Sequence, residues 1–164
     1  MNEILTVTNE VKPLAWLGDP GLKEEVVLRM KQHRAEDSIV QGYYQEYAPE
    51  LASQYKGCLL GCTLPQMKVD NADEIVAWHH EVERLYGIPV PVACLLEDLF
   101  ENMDFDEAAE FAVESIEAIP VGADLAAVTA YWFADYQTAP WNCEKHEAKV
   151  LDLLRSAPVP EPVR

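Results

Sequence analysis

Proline and glycine cut the apolar periodicity of this chain into short pieces, and the pieces carry helical spacing, not the alternation of strands. Asp19 and Pro20 open "GLKEEVVLRMKQHR", where Asp19 suits a helix N-cap and Pro20 the first turn. Leu22, Val26, Met30 and His33 then recur on one face. "NADEIVAWHHEVERLYG" starts at Asn71 or Asp73 and stops at Gly87. Pro89 and Pro91 open "VACLLEDLFENM", Asp104 or Asp106 caps "EAAEFAVESIEAI", and Pro120 ends it. Asp124 begins "LAAVTAYWFADY", and Pro140 begins "WNCEKHEAKVLDLLRS". The pattern predicts an all-α protein with one compact domain, residues 1–156, of six or seven short helices. "ILTVT" has strand-like content without a partner of similar quality, so Met1 to Trp16 is expected as an extended arm lying on the helices. The segment from Asp37 to Gly57, with breaks at Gly42 and Pro49, reads as irregular, and the proline-rich tail 157–164 as extended and mobile.

Charge narrows the function classes. Among 164 residues, 29 are acidic and 12 are Lys or Arg, a net charge of −17. Phosphate recognition needs clustered cations, so direct nucleic-acid binding and attachment to anionic membranes are both disfavoured, and a basic partner is favoured. No apolar run approaches the roughly 18 residues that would span a bilayer. The first residues lack the basic and apolar regions of a secretory leader. A cytoplasmic protein with free thiols is expected.

The acids are not evenly spread. Glu107, Glu110, Glu114 and Glu117 follow i, i+3, i+7, i+10, which confines them to one helical stripe opposite Phe105, Ala108, Ala112 and Ile116. Successive carboxylates would stand about 4.5–6 Å apart along the axis, a scale similar to the phosphates of a nucleic-acid strand. No Lys or Arg occurs between Arg84 and Lys145 to offset them. Joined to Glu97, Asp98, Glu101 and Asp104, the stripe could imitate a nucleic-acid backbone toward the basic groove of a protein.

The stretch "KGCLLGCTLP" holds two Gly-Cys pairs four residues apart. On a helix, Cys58 and Cys62 would share a face, and Gly57 and Gly61 would allow tight turns or close packing. Cysteine is often a core residue with no ligand, and this is the leading reading of the segment. A zinc site of Cys58, Cys62, Cys143 and His146 is the alternative, the last two standing at i,i+3. A nucleophilic Cys58 or Cys62 is disfavoured in so acidic a chain. His79 and His80 point about 100° apart on a helix and form no HExxH motif, so they read as surface or half-buried side chains, with His79–Glu83 a minor option. Tyr43, Tyr44, Tyr47 and Tyr55 could form a recognition patch, whereas Trp78, Trp132, Phe133 and Trp141 read as core.

Taken together, "DSIVQGYY", "KGCLLGCTL", "LYGIPVPVACLLEDLFENM" and "FAVESIEAIPVGADL" resemble a family of uncharacterised bacterial and phage-borne proteins. Their pattern reads QG, KGCxxGCTL, LGIPxxLxxLEDxxFE and AIPVGADL, and it covers about Asp37 to Leu125 here. The resemblance implies a phage or mobile-element setting and brings no catalytic residues. Pro65 stands where members often carry histidine, which removes a polar group from the segment.

The leading expectation is a non-enzymatic acidic binding protein without cofactor, an inhibitor that mimics DNA. Its partner surface is Glu97, Asp98, Glu101, Asp104, Glu107, Glu110, Glu114 and Glu117. A metal- or thiol-dependent enzyme or ligand-binding protein centred on Cys58 and Cys62, with zinc as its ion, is the alternative. A self-associating structural subunit is the third.

Overall fold

The computed structural model describes residues 13–66, 75–137 and 143–161, and among them the chain is mainly helical. The helices are α1 (Pro20–Ala35), α2 (Leu59–Thr63), α3 (Ile75–Tyr86), α4 (Val90–Asn102), α5 (Phe105–Ala118), α6 (Ala126–Tyr131) and α7 (Cys143–Arg155). The all-α expectation holds, with one small addition. Two-residue strands β1 (Glu46–Tyr47) and β2 (Tyr55–Lys56) pair antiparallel within the segment expected to be irregular. Residues 1–12, with most of the expected arm, and the Asn71/Asp73 start of α3 lie outside the described residues.

Local chemistry sets the helix ends. The Asp19 carboxylate accepts from the Gly21 and Leu22 backbone N–H groups, capping α1 with Pro20 in its first turn. Val26, Met30 and His33 are buried on the face predicted for them. Asp124 likewise accepts from Ala126 N at 2.9 Å before α6. The start of the tail is docked: Ala157 is buried, and Asp124 N donates to Pro158 O at 2.8 Å.

Helix α4 is the hub. It packs on α2, α3, α5, α6 and α7 and buries Val92, Ala93, Leu95, Leu96, Leu99 and Phe100. A helix enclosed on so many sides has little solvent-facing surface. Its polar residues must therefore face solvent through a gap between neighbours, and that gap is the site described next. Trp16 closes the far side of the core, its Nε1–H donating to Ile119 O at 3.0 Å.

Candidate functional site

The Gly-Cys segment forms a buried layer beneath the site, its floor, and is not among the residues that line the cavity described below. Cys58 occupies the N-cap position of the five-residue α2, and Gly57 and Gly61 lie against the backbone of Tyr44. A Cβ on Gly57 would stand 1.9 Å from Tyr44 O, and one on Gly61 only 1.4 Å. No side chain fits either place, so the two glycines exist to let one backbone press on another. The packing reading of the glycines holds. What it positions is a strap, Gln41 to Gln45, stretched across α2 and α4.

The strap is tied by its polar atoms. Gln41 Nε2 donates to Phe100 O at 2.6 Å and Met103 O at 3.0 Å, satisfying carbonyls at the C-terminal end of α4. Gly42 N donates to Glu101 Oε2 at 2.9 Å. Tyr43 O accepts from Cys58 N, and Gln45 Nε2 donates to Gly61 O at 2.7 Å. The strap therefore fixes α2 against the polar seam of α4.

Glu97, on that seam, is the centre. Its Oε2 is 2.6 Å from His79 Nε2 on α3 and accepts from Tyr44 OH at 3.0 Å. Its Oε1 faces the Cys58 Sγ at 3.5 Å. One carboxylate oxygen is pinned by two donors while the other looks at a thiol. Cys58 Sγ and oxygens of Glu97 and Glu101 all lie within 4.8 Å of one another. Burial first, and then the Glu97 charge, push the Cys58 thiol well above its ordinary pKa, so without a cation beside it the sulfur stays protonated. Burial also raises the Glu101 carboxyl. A free nucleophilic thiolate is thus disfavoured at Cys58, and at Cys62 too, where burial raises the thiol and its Sγ donates to Gly57 O at 3.3 Å.

Above the floor opens a cavity of about 630 Å³. Two stacked aromatic pairs stand at its edge. Tyr44 lies on Trp78 with centroids 5.0 Å apart and planes at 7°, and Trp132 lies on Tyr136 at 5.1 Å and 22°. Each pair is tied to α4 by a phenol, Tyr44 to Glu97 and Tyr136 to Asp98 at 2.5 Å. Trp132 reaches the cavity because α6 runs on as a π-helical turn, Trp132–Tyr136, a distortion frequently found at functional sites.

The residues expected from the sequence divide. Glu97, Asp98 and Glu101 come together in the cavity. Asp104 is exposed at the N-cap position of α5, and Glu107, Glu110, Glu114 and Glu117 lie exposed along α5. There the missing cations arrive from other helices. Glu110 pairs with Arg34 at 2.5 Å, Glu117 with Lys31 at 2.6 Å, and Glu114 with Arg155. Changing Glu110, Glu114 and Glu117 together to Gln is expected to lower the melting temperature by a few degrees in dilute buffer. The difference should vanish near about 1 M salt, where exposed pairs are screened. A melting temperature unchanged in both conditions would show that the pairs add no net stability.

The four proposed zinc ligands are not gathered. Cys58 meets Glu97 and Glu101, whereas neither Cys62 nor His146 joins a ligand group among the described residues. His146 Nδ1 is 2.6 Å from Tyr131 OH, and the Cys143 side chain lies outside the described residues. His79 is not a surface residue: it is buried and turned to Glu97, leaving His80 outside. Trp78 is buried as expected, but Phe133 and Phe105 are exposed because they face away from the core that α6 and α5 cover. The tyrosines also split, with Tyr55 buried on Leu64 O and Tyr47 exposed. Trp132 and Tyr136 were not legible as site residues, and Tyr44 and His79 were legible only as a member of a tyrosine patch and as a minor partner of Glu83. The available signal was the i, i+3, i+7 spacing of Cys94, Glu97 and Glu101 on the polar side of a mostly apolar helix.

No protein-family model matches the chain, and no curated protein or solved structure does. Three of the stretches quoted above meet in space. Gln41 and Gly42, the Gly-Cys stretch, and the Glu97–Glu101 stretch are the strap, the floor and the seam of this one pocket.

Proposed function

We propose that the pocket is a metal-dependent small-molecule site in which Cys58, Glu97 and Glu101 hold a divalent ion of zinc type. The observation that carries this reading is the division of labour at Glu97, whose Oε2 is fixed by His79 and Tyr44 while Oε1 stands 3.5 Å from the Cys58 sulfur. Ligands about 2.0–2.3 Å from a tetrahedral zinc stand roughly 3.5 Å apart, so this pair has a ligand-pair separation. Outer-shell donors that orient a ligating carboxylate are a recurring part of such centres. Binding an ion would take the proton from Cys58 and remove the conflict between its sulfur and the two carboxylates. Three protein ligands leave a position open toward the cavity, the arrangement of a centre that polarises a bound water or substrate.

The test is metal content after dialysis against Zn²⁺ or Co²⁺, with the cobalt spectrum as a second readout. One equivalent and a near-ultraviolet thiolate-to-cobalt band are expected. Cys58→Ser should abolish the band, and Glu97→Gln should weaken affinity by about 10–100-fold. A far-ultraviolet spectrum unchanged from the native protein certifies folding of both variants. Absence of bound metal in the folded native protein would overturn the reading.

The basic-partner reading has its support in the net charge of −17. Against it stands the pairing of Glu110, Glu114 and Glu117 with cations of the same chain. It requires partner affinity that falls steeply with salt and drops when those three residues become Gln.

A further inference from the structure

The ligand this pocket receives follows from what lines it above the floor. We infer that it is a planar organic cation, a guanidinium or amidinium. This rests on the reading of the pocket as the protein's ligand site, and it names the ligand class.

Charge comes first. Glu97, Asp98 and Glu101 line the cavity, and no Lys or Arg is among its lining residues. A divalent ion held by the Cys58 thiolate, Glu97 and Glu101 leaves that set with one net negative charge, and Asp98 adds a second. The cavity thus selects against phosphates and carboxylates whether or not the metal is present, because a buried like charge has nothing to pair with.

Shape comes second. Asp98 and Trp132 line the same cavity; the Trp132 ring stacks on Tyr136, and Tyr136 OH donates to Asp98 Oδ2 at 2.5 Å. A carboxylate and an aromatic face in one cavity suit a flat cation, which donates in its plane and stacks through its face. An ammonium could use the charge but not the fork.

The third observation is independent of the acids. Trp78 and Tyr44 both line the cavity and stack on each other with centroids 5.0 Å apart. They extend the aromatic wall against which a flat cation lies.

The experiment titrates the full chain with three probes of similar size: N-acetylarginine amide, N-acetylcitrulline amide and N-acetylglutamate amide. Each is followed by calorimetry and by the Trp78 indole N–H resonance, in the presence of Zn²⁺ and after chelation. The guanidinium probe should bind at least about tenfold tighter than its neutral ureido isostere, and the anionic probe should not bind. Asp98→Asn should remove most of that preference, and the guanidinium probe should shift the Trp78 N–H resonance, which reports on the cavity wall. Equal binding of the arginine and citrulline probes, or a Trp78 resonance unmoved by N-acetylarginine amide, would overturn the proposal. Free arginine binding better than N-acetylarginine amide marks a free guanidino compound as the source; the reverse marks an arginine of a protein, and either supports the shared chemistry. Because the ranking is read with and without Zn²⁺, loss of the metal reading leaves it intact, and its failure in zinc-loaded protein sinks this inference alone.

Discussion

Gly61→Ala is expected to lower the melting temperature by roughly 6–12 °C, the shift that about 3 kcal/mol produces in a chain of this size. The added methyl carbon would lie 1.4 Å from Tyr44 O and 2.5 Å from Tyr44 C. Both atoms are backbone, so no rotamer change relieves the clash; the strap must move off α2. Overpacking of a core costs about 1–3 kcal/mol, and a clash of backbone with a side chain belongs at the upper end. The strap also carries Tyr44 OH and Gly42 N onto Glu97 and Glu101, so metal affinity should fall with stability. Gly21→Ala is the control, since its nearest neighbour is the Asp19 side chain at 3.2 Å, and it should change the melting temperature by far less. A Gly61→Ala protein melting within about 2 °C of the native one would show that the strap does not press on α2 in solution.

Acid should destabilise the protein through His33. The ring is fully buried on α1, with Nδ1 2.7 Å from Ser38 Oγ and Nε2 without a partner among the described residues. Ser38 Oγ donates to His33 O at 3.0 Å, so Nδ1 donates to Ser38 and Nε2 keeps a bare lone pair. Protonation would place a second N–H, and a charge, where nothing receives them. Burial lowers the His33 pKa from 6.5 to about 4, with Glu36 opposing and nearby Arg29 reinforcing the shift. A depressed folded value means that the contribution is fully present above pH 6.5 and is lost as pH falls from 6.5 toward 4. The shift corresponds to on the order of 3 kcal/mol. Urea melts of native protein and His33→Phe at pH 7.5, 5.5 and 4.5 isolate it, because the carboxylates that also titrate are common to both. The difference between the two proteins should shrink or reverse on acidification. Parallel stability profiles would exclude His33 as the sensor.

Much of the frame was legible because its signals are local. Asp19 and Pro20 define the start of α1, and Val26, Met30 and His33 its buried face, from a few adjacent residues. The purpose of Gly57 and Gly61 was legible as packing, though not that the surface pressed upon is Tyr44. The site itself was not. His79 reaches Glu97 from another helix, and nothing in "WHHEVER" distinguishes the inward histidine from the outward one. The acids divide for a related reason. Counted along the chain, no Lys or Arg separates the acidic residues from Glu97 to Glu117. In space α4 turns Glu97 and Glu101 toward the cavity, while α5 turns Glu110 to Glu117 toward cations of α1 and α7. Which helix a side chain meets is a property of the fold, and sequence spacing alone does not carry it.

The way the floor is assembled also sets when it can exist. Cys58 and Glu97 are 39 residues apart, and Tyr44 and Glu97 are 53. Closing chain segments of this length costs entropy before any contact repays it, so these contacts belong late on the folding route. A nascent chain released only through α2 offers the thiol but neither carboxylate. An ion bound as proposed would therefore not seed this fold in the way it seeds a zinc finger. Its capture during refolding would instead time the docking of α4 beneath the strap.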